Sequence, residues 1–371
     1  MSIAVFFTDG VSLTTWDQAG MLERELALYH RLLPYVGEIS LITYGNDQDT
    51  RYSKQLAGIR VLHNRWGLPR RVYRRAAALT HLRHLAAASI WKTNQASGAV
   101  AALPAKRIFR KPLIVRAGFL WSRHVALEYG NDSDAARNVY KLERRYYRAA
   151  DAAVVTESSM KDFIVERHGI PAERVRVIPN YVDTELFAPT HNKSDDGRTI
   201  CFVGRLTTQK NLTALFEALK DLDIRLRLAG GGEDRAKLEA LAEEFGLNVE
   251  FLGNVPHANL PALFASSTLF ILPSLWEGNP KALLEAMAAG MPVIGCRSPG
   301  IENIISNGDN GLLCGTTAPE IRDVVQQLLS DRELQKRVGE AARKYTLANV
   351  SLDQVVDLEI GLYADLGLRM A

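Results

Sequence analysis

Two carboxylates, Glu277 and Glu285, stand with seven residues between them in the stretch 270–295, FILPSLWEGNPKALLEAMAAGMPVIG. The apolar runs Leu269 to Leu272 and Val293 to Cys296 predict strands, with a turn and a helix between them. Asn279 suits the N-cap of that helix and Pro280 its first position. Leu283, Leu284, Met287 and Ala288 recur at helical spacing and predict its buried stripe. At about 100° per residue Glu285 falls off that stripe and is expected to face a cleft. Glu277 precedes the helix, beyond the carboxyl end of a strand. Open α/β sheets bind ligands at those ends, and helix N-termini attract phosphate. Taken alone, the two glutamates also fit a solvated surface, with Glu285 paired to Lys281 one turn earlier.

Other residues with the chemistry to join them lie elsewhere in the chain. Gly204-Arg205-Leu206 follows the apolar run Ile200 to Val203, and Lys210 precedes a helix starting near Asn211. A glycine directly after a strand permits close backbone approach, and two cations beside a helix start suit a diphosphate. Gly230-Gly231-Gly232 follows Arg225 to Ala229, although any tight strand-to-helix turn favours glycine. Asp9-Gly10-Val11-Ser12 follows the first strand. Three D-x-D strings occur, Asp47/Asp49, Asp132/Asp134 and Asp221/Asp223; none combines a strand end with a site context, so each reads as a solvated pair and no metal site is expected. The histidines, His124 among them, sit in no recognisable base constellation and are expected to be structural or exposed.

The string S-x-x-E-G-x-P-x-x-x-x-E-A-M-A-x-G-x-P-V, Ser274 to Val293, resembles the donor-site segment of retaining GT-B glycosyltransferases, family 4-like (glycosyl transferases group 1). G-R-L-x-x-x-K, Gly204 to Lys210, resembles the same family, and P-N-x-V-D-x-x-x-F, Pro179 to Phe187, resembles its interdomain connection. The resemblance implies an α/β fold of GT-B architecture, two Rossmann-like doubly wound domains facing a cleft. Residues 1–185 would bind the acceptor and 186–350 the nucleotide-sugar, with a C-terminal helix in 351–371 crossing back to the first domain. It further implies that Arg205 and Lys210 hold the donor diphosphate, that Glu277 takes hydroxyls of the donor sugar and that Glu285 takes the ribose. A carboxylate can accept from two vicinal hydroxyls, which suits both glutamates. Gly204, Gly230, Gly232, Gly278 and Asn279 would complete the donor site, with Glu277, Arg205 and Lys210 as the catalytic set. Gly10, Ser12, Arg116 and His124 are the candidates for the acceptor side. One departure stands out: Asn279 and Pro280 occupy places where the family's commonest form has an aromatic residue and a glycine, and Pro280 removes an amide donor. The implied reaction is hexosyl transfer with retention from a nucleotide-diphospho-sugar to an acceptor hydroxyl, needing no metal, other cofactor or enzymic nucleophile.

The elements that must position these residues alternate along the chain. In the first half strands are expected at Ile3 to Phe7, Ile39 to Thr43, Ile59 to Leu62, Ser89 to Lys92, Leu113 to Arg116, Ala152 to Thr156 and Val175 to Ile178. Helical patterns separate most of them, including one from Met21 to Leu33 that Pro34 should stop, while Thr8 to Ala19 reads as a polar loop. After the polar run Ala188 to Arg198 a second alternating series begins at Thr199. Strands alternating with helices predict parallel, doubly wound sheets, two domains in all for 371 residues.

The net charge of +3 hides an asymmetry. Residues 1–180 hold 27 basic and 16 acidic side chains, a net +11, and the remainder nets −8. From Thr50 to Leu127 there are 16 basic residues and no acid. Such a segment points to an anionic partner, and the lack of interleaved aromatic pairs argues against nucleic acid. An anionic membrane surface is the expected partner, met by some of Arg70, Arg71, Arg74, Arg75, Lys106, Arg107, Arg110 and Lys111. No apolar run is long enough to span a bilayer or to serve as a secretory signal. Cys201, Cys296 and Cys314 are far apart in sequence and read as reduced, buried thiols. The expected location is the cytoplasm, peripheral on the inner face of the cytoplasmic membrane, with a lipid-linked or membrane-associated glycan of cell-envelope polysaccharide synthesis as acceptor. The competing readings are a soluble sugar or sugar-phosphate acceptor, and a non-catalytic nucleotide- or anion-binding protein.

Overall fold

A computed structural model describes residues 1–190 and 197–368. Part of the polar run Ala188 to Arg198 and the last three residues of 351–371 therefore lie outside the described residues. The chain divides into two compact units, Met1–Pro179 with Val355–Ala371, and Asn180–Gln354.

In the first unit seven strands run parallel: β1 (Ser2–Phe6), β2 (Glu38–Ile42), β3 (Arg60–Leu62), β4 (Ile90–Thr93), β5 (Leu113–Ala117), β6 (Ala152–Val155) and β7 (Val175–Val177). Their order is β3-β2-β1-β4-β5-β6-β7, so β1 lies between β2 and β4, with Ile3 level with Ile39 on one side and Ile90 on the other. The second unit holds β8 (Thr199–Val203), β9 (Arg225–Ala229), β10 (Asn248–Gly253), β11 (Leu269–Leu272), β12 (Val293–Cys296) and β13 (Leu312–Cys314), all parallel in the order β10-β9-β8-β11-β12-β13. Each sheet reverses its strand order beside its first strand, the switch point where doubly wound folds bind ligands. The central strands are buried along their length, as near-continuous apolar runs require when helices cover both faces.

The C-terminal helix, Leu352–Asp365, belongs to the first unit from Val355 on. Its Glu359 pairs with Lys92 of β4, both almost wholly buried, and also accepts from Tyr363 Oη at 2.8 Å. Burial pushes the Lys92 ammonium below its usual range, and the Glu359 carboxylate opposes that shift. Removing either partner alone would leave the other charge buried and uncompensated.

Several elements differ from the expectations above. Part of Thr8 to Ala19 is a helix, Leu13–Gln18, not a loop. Ser12 caps it, accepting from Thr15 N at 3.1 Å, and Trp16 buries its ring against Phe7, centroids 4.2 Å apart. Asp49 is not solvated: it is fully buried and accepts from Thr43 Oγ1 at 2.6 Å and from the first-turn amide of Thr14 at 3.2 Å. A carboxylate is favoured at a helix start by the dipole and the orphan amides. Pro34 does not stop its helix, which runs Leu22–Val36 and ends at Gly37 with φ +73°. A proline in the last turn removes few bonds, and the left-handed glycine is the effective stop. Cys296 and Cys314 are far apart only in sequence. They face each other across paired β12 and β13, Sγ to Sγ 3.7 Å.

Candidate active site

β8 and β11 are neighbours, with Leu269 level with Ile200 and Phe270 with Cys201. Their carboxyl ends therefore bring residues 204–211 beside residues 274–278, although the two stretches are 67 residues apart at Lys210 and Glu277. The straps are specific. Gln209 Nε2 donates to the Trp276 carbonyl at 2.7 Å, and Leu275 N donates to the Gln209 carbonyl at 2.9 Å. On the other side Glu277 N donates to the Pro299 carbonyl at 2.8 Å, and Ser298 Oγ to the Ser274 carbonyl at 2.8 Å. A side chain on Gly300, φ +83°, would stand 2.4 Å from the Glu277 carbonyl, so this position must remain glycine.

Held this way, Lys210 Nζ donates to Glu277 Oε1. Both side chains are about nine-tenths covered. The short turn Thr208–Lys210 and the left-handed Asn211, φ 55°, aim the lysine inward before helix Leu212–Leu219 begins. Arg205, by contrast, is exposed.

The glycine loops are zipped backbone to backbone. Gly204 N donates to the Ala229 carbonyl, Leu206 N to the Gly231 carbonyl (both 2.9 Å) and Asp234 N to the Leu206 carbonyl at 3.0 Å. A Cβ on Gly230, φ +139°, would lie 1.9 Å from the Gly204 carbonyl oxygen, and one on Gly232 2.1 Å from that of Leu206. These two glycines thus answer a packing demand of the loops themselves, whatever else they touch.

Glu285 does not face an open cleft. It is 2% exposed, and its Oε1 meets His257 Nε2 at 3.0 Å. The helix Lys281–Ala288 is buried at every position from Leu283 to Ala288 because helix Arg332–Asn349 packs on it as the sheet does. Arg343 Nη1 from that helix takes the Ala288 carbonyl at 2.6 Å. A wheel with one buried face does not describe a helix covered on two sides. Asn279 is not the N-cap either: Pro280 holds that place and no side chain caps the helix. Asn279 Oδ1 instead accepts from Asn180 N at 3.0 Å, and Asn180 Nδ2 donates to the Asn279 carbonyl at 2.7 Å. Lys281 lies over the Tyr181 ring, 5.3 Å from its centroid.

His257 is the residue sequence reasoning missed. It opens a single turn, His257–Asn259, and packs edge-on to Phe187 at 5.2 Å. Nothing local marks it; its partner is 28 residues downstream.

The first unit's candidates lie at the ends of β1 and β5. Gly10, φ +84°, sits against the Arg70 guanidinium, which donates to Asp9 Oδ2 at 2.6 Å, while Arg74 approaches the same oxygen at 3.9 Å. Ser12 is engaged as a cap, as above. Arg116 Nη1 reaches the Asn94 carbonyl at 3.4 Å, and Gly118 N donates to Gln95 Oε1 at 2.8 Å. His124 is half-exposed, 3.9 Å from Glu128, on a helix the sequence did not reveal, Trp121–Tyr129. Buried Glu143 accepts from Trp121 N at 2.7 Å and from Ser122 Oγ, which fixes the start of that helix. Among the described residues no three His, Cys, Asp or Glu side chains form a metal-binding group.

Two family models match in succession, overlapping by a few residues: Glycosyltransferase Family 4 over residues 36–186 and Glycosyl transferases group 1 over residues 183–345. The chain is 28% identical over 295 residues to alpha-D-kanosaminyltransferase of Streptomyces kanamyceticus, covering 73% of this chain and 76% of that protein. Among solved structures it is similar to Anabaena HepE in complex with UDP, TM-score 0.78 at 17% identity, over 98% of this chain and 100% of that one. It is also similar to sucrose-phosphate synthase of Thermosynechococcus elongatus, TM-score 0.80 at 20% identity, over 99% of both chains. At such identities the structural likeness speaks for the fold, two Rossmann-like parallel-sheet domains of the GT-B kind. The chain belongs to the group 1, family 4-like glycosyltransferases.

Proposed function

We propose that the protein transfers a hexosyl group, with retention, from a nucleotide-diphospho-sugar to an acceptor hydroxyl. The observation that carries this reading is the Lys210–Glu277 pair at the carboxyl ends of β8 and β11. An ammonium has three donors, and one bond to Glu277 leaves two for phosphate oxygens. Arg205, exposed beside it, adds a second cation for the charge that develops on the departing diphosphate. Glu277, its charge balanced by Lys210, keeps acceptor oxygens for hydroxyls of the donor sugar. Glu285, oriented by His257, takes the ribose. The acceptor hydroxyl attacks on the face the leaving group vacates, and a leaving-group phosphate oxygen takes its proton. No protein nucleophile is needed. The UDP complex of HepE supports a nucleotide-sugar donor.

On the acceptor side we propose a lipid-linked or membrane-associated glycan of cell-envelope polysaccharide synthesis, with the protein peripheral on the inner face of the cytoplasmic membrane. The acid-free basic segment supports this. A soluble sugar-phosphate acceptor is the second reading, and the likeness to sucrose-phosphate synthase favours it. Gly10, Ser12, Arg116 and His124 remain the proposed acceptor contacts.

The test is a thermal-shift panel of UDP-, GDP- and ADP-sugars. One donor is expected to stabilise the protein, by about 2.7 kcal/mol at a hundred times its Kd, and Lys210→Ala is expected to abolish that shift. Absence of any shift across the panel would overturn the reading. Turnover should persist in excess EDTA; loss on chelation with rescue by magnesium or manganese would reveal a metal-dependent mechanism instead.

A further inference from the structure

The basic segment contains more than charge. Helix Arg70–Thr80 buries Tyr73, Ala77 and Ala78 and turns Val72, Arg75 and Leu79 outward, at spacings of three and four that keep them on one stripe. Leu79 is 65% exposed. Leu82 and Arg83 continue the exposed surface on the next helix, Leu82–Ala87. Both helices pack against helix Ala99–Phe109, whose last turn exposes Arg107 and Ile108. Trp66 precedes this layer, half-exposed, with the Arg65 guanidinium 4.2 Å from its ring centroid.

The charges divide into two groups. Arg70 and Arg74 turn to Asp9, and Lys106 pairs with Asp151. Among the described residues Arg71, Arg75, Arg83, Arg107 and Arg110 are exposed and have no carboxylate partner. An exposed set of large apolar side chains interleaved with unpaired arginines has a specific meaning. Apolar groups ask to leave water, and the arginines ask for anions at the same depth. A bilayer interface bearing anionic headgroups supplies both, and an indole stacked on a guanidinium suits the headgroup level.

We propose that Trp66, Val72, Leu79, Leu82 and Ile108 insert into the interface of an anionic bilayer while Arg71, Arg75, Arg83, Arg107 and Arg110 pair with its headgroups. This rests on the reading of a membrane-borne acceptor and sharpens it, because it narrows the eight basic candidates to those without a carboxylate partner and adds apolar insertion to a purely electrostatic attachment.

The experiment is co-sedimentation of the full chain with vesicles of phosphatidylcholine alone, or with about a third phosphatidylglycerol, at about 0.1 M and 0.5 M salt. Wild type should bind the anionic vesicles, and high salt should weaken binding without abolishing it. Trp66→Ser with Leu79→Ser should lower partitioning about tenfold at both salts. Arg71→Glu with Arg75→Glu should remove the salt-sensitive part, and Arg70→Gln should leave binding unchanged. All substituted side chains are exposed, and an unfolding midpoint close to wild type, measured without ligand, reports that each variant is folded. Binding that is fully salt-reversible and indifferent to Trp66→Ser/Leu79→Ser would overturn insertion. Absence of vesicle binding, or equal salt-sensitive capture by a single-stranded RNA, would overturn the bilayer as partner. None of these readouts involves transfer, so a failed membrane result leaves the donor reading standing, and a failed donor panel leaves the membrane result interpretable.

Discussion

The two units wind their sheets the same way, each switching direction beside its first strand, yet they treat the residues at those switch points differently. In the second unit the side chains hold one another: Lys210 with Glu277, His257 with Glu285, and one glycine loop zipped to the next. In the first unit the corresponding residues are tied to their own neighbourhood. Ser12 caps its helix, Gly10 and Asp9 receive Arg70, and His124 stays half in solvent. Charge follows the same division: the first unit, with its C-terminal helix, nets +9 and the second −6. A leaving diphosphate is the same object in every turnover and rewards a fixed, mutually braced set of charges. At the first unit's strand ends the charge pair is Asp9 with Arg70 and Arg74, and it leaves the Arg70 side chain largely exposed where Lys210 and Glu277 are covered.

That contrast can be broken by experiment. The largest effect expected is on folding: Gly232→Ala should destabilise the protein by about 3 kcal/mol, because its Cβ would stand 2.1 Å from a backbone oxygen. A melting temperature close to wild type would show that the loops are loosely joined. Next, Lys210→Ala and Glu277→Ala should each lower kcat/KM about a hundredfold, and the double variant should lose little more, since both remove one braced unit. Full additivity would mean that the two act separately.

Acid sharpens the comparison from the other side. His81 of the first unit, buried and bonded to Tyr73 Oη at 2.8 Å, has its pKa lowered to about 4, by burial above all. It stays neutral when folded but takes a proton below pH about 6.5 when unfolded. Its contribution is therefore complete above pH 6.5 and declines as pH falls toward 4, by about 2–3 kcal/mol in all. Urea unfolding of wild type and His81→Gln across that range measures it; parallel curves would refute it. Glu285→Gln and His257→Ala should each cost about tenfold in kcat/KM with a coupling near 1 kcal/mol. His124→Ala should change kcat/KM less than threefold. A larger loss would place the first unit's candidates on a par with the second's.

Legibility in the sequence followed the same line. Long apolar runs gave the strands to within a residue or so, and the donor motif is consecutive, so its residues could be named together. What escaped was short or assembled at a distance. Leu13–Gln18 and Trp121–Tyr129 are brief helices without a strong stripe, and β13 is only Leu312–Cys314. His257 finds Glu285, and Lys92 finds Glu359, through the fold alone. Glu285 departs from the helical pattern for a different reason: its helix has two buried sides, and composition does not say how many neighbours a helix will have.

The tie between Lys92 and Glu359 sets an order of events during synthesis. Chains emerge at roughly 5–20 residues per second, so the whole of Asn180–Gln354 is made in roughly ten to thirty-five seconds after the seventh strand is complete. Throughout that interval the first sheet carries a lysine whose counter-ion has not yet left the ribosome. The first unit, whose strands are all made before the second unit begins, is thus completed only after it, when the helix that carries Glu359 reaches Lys92.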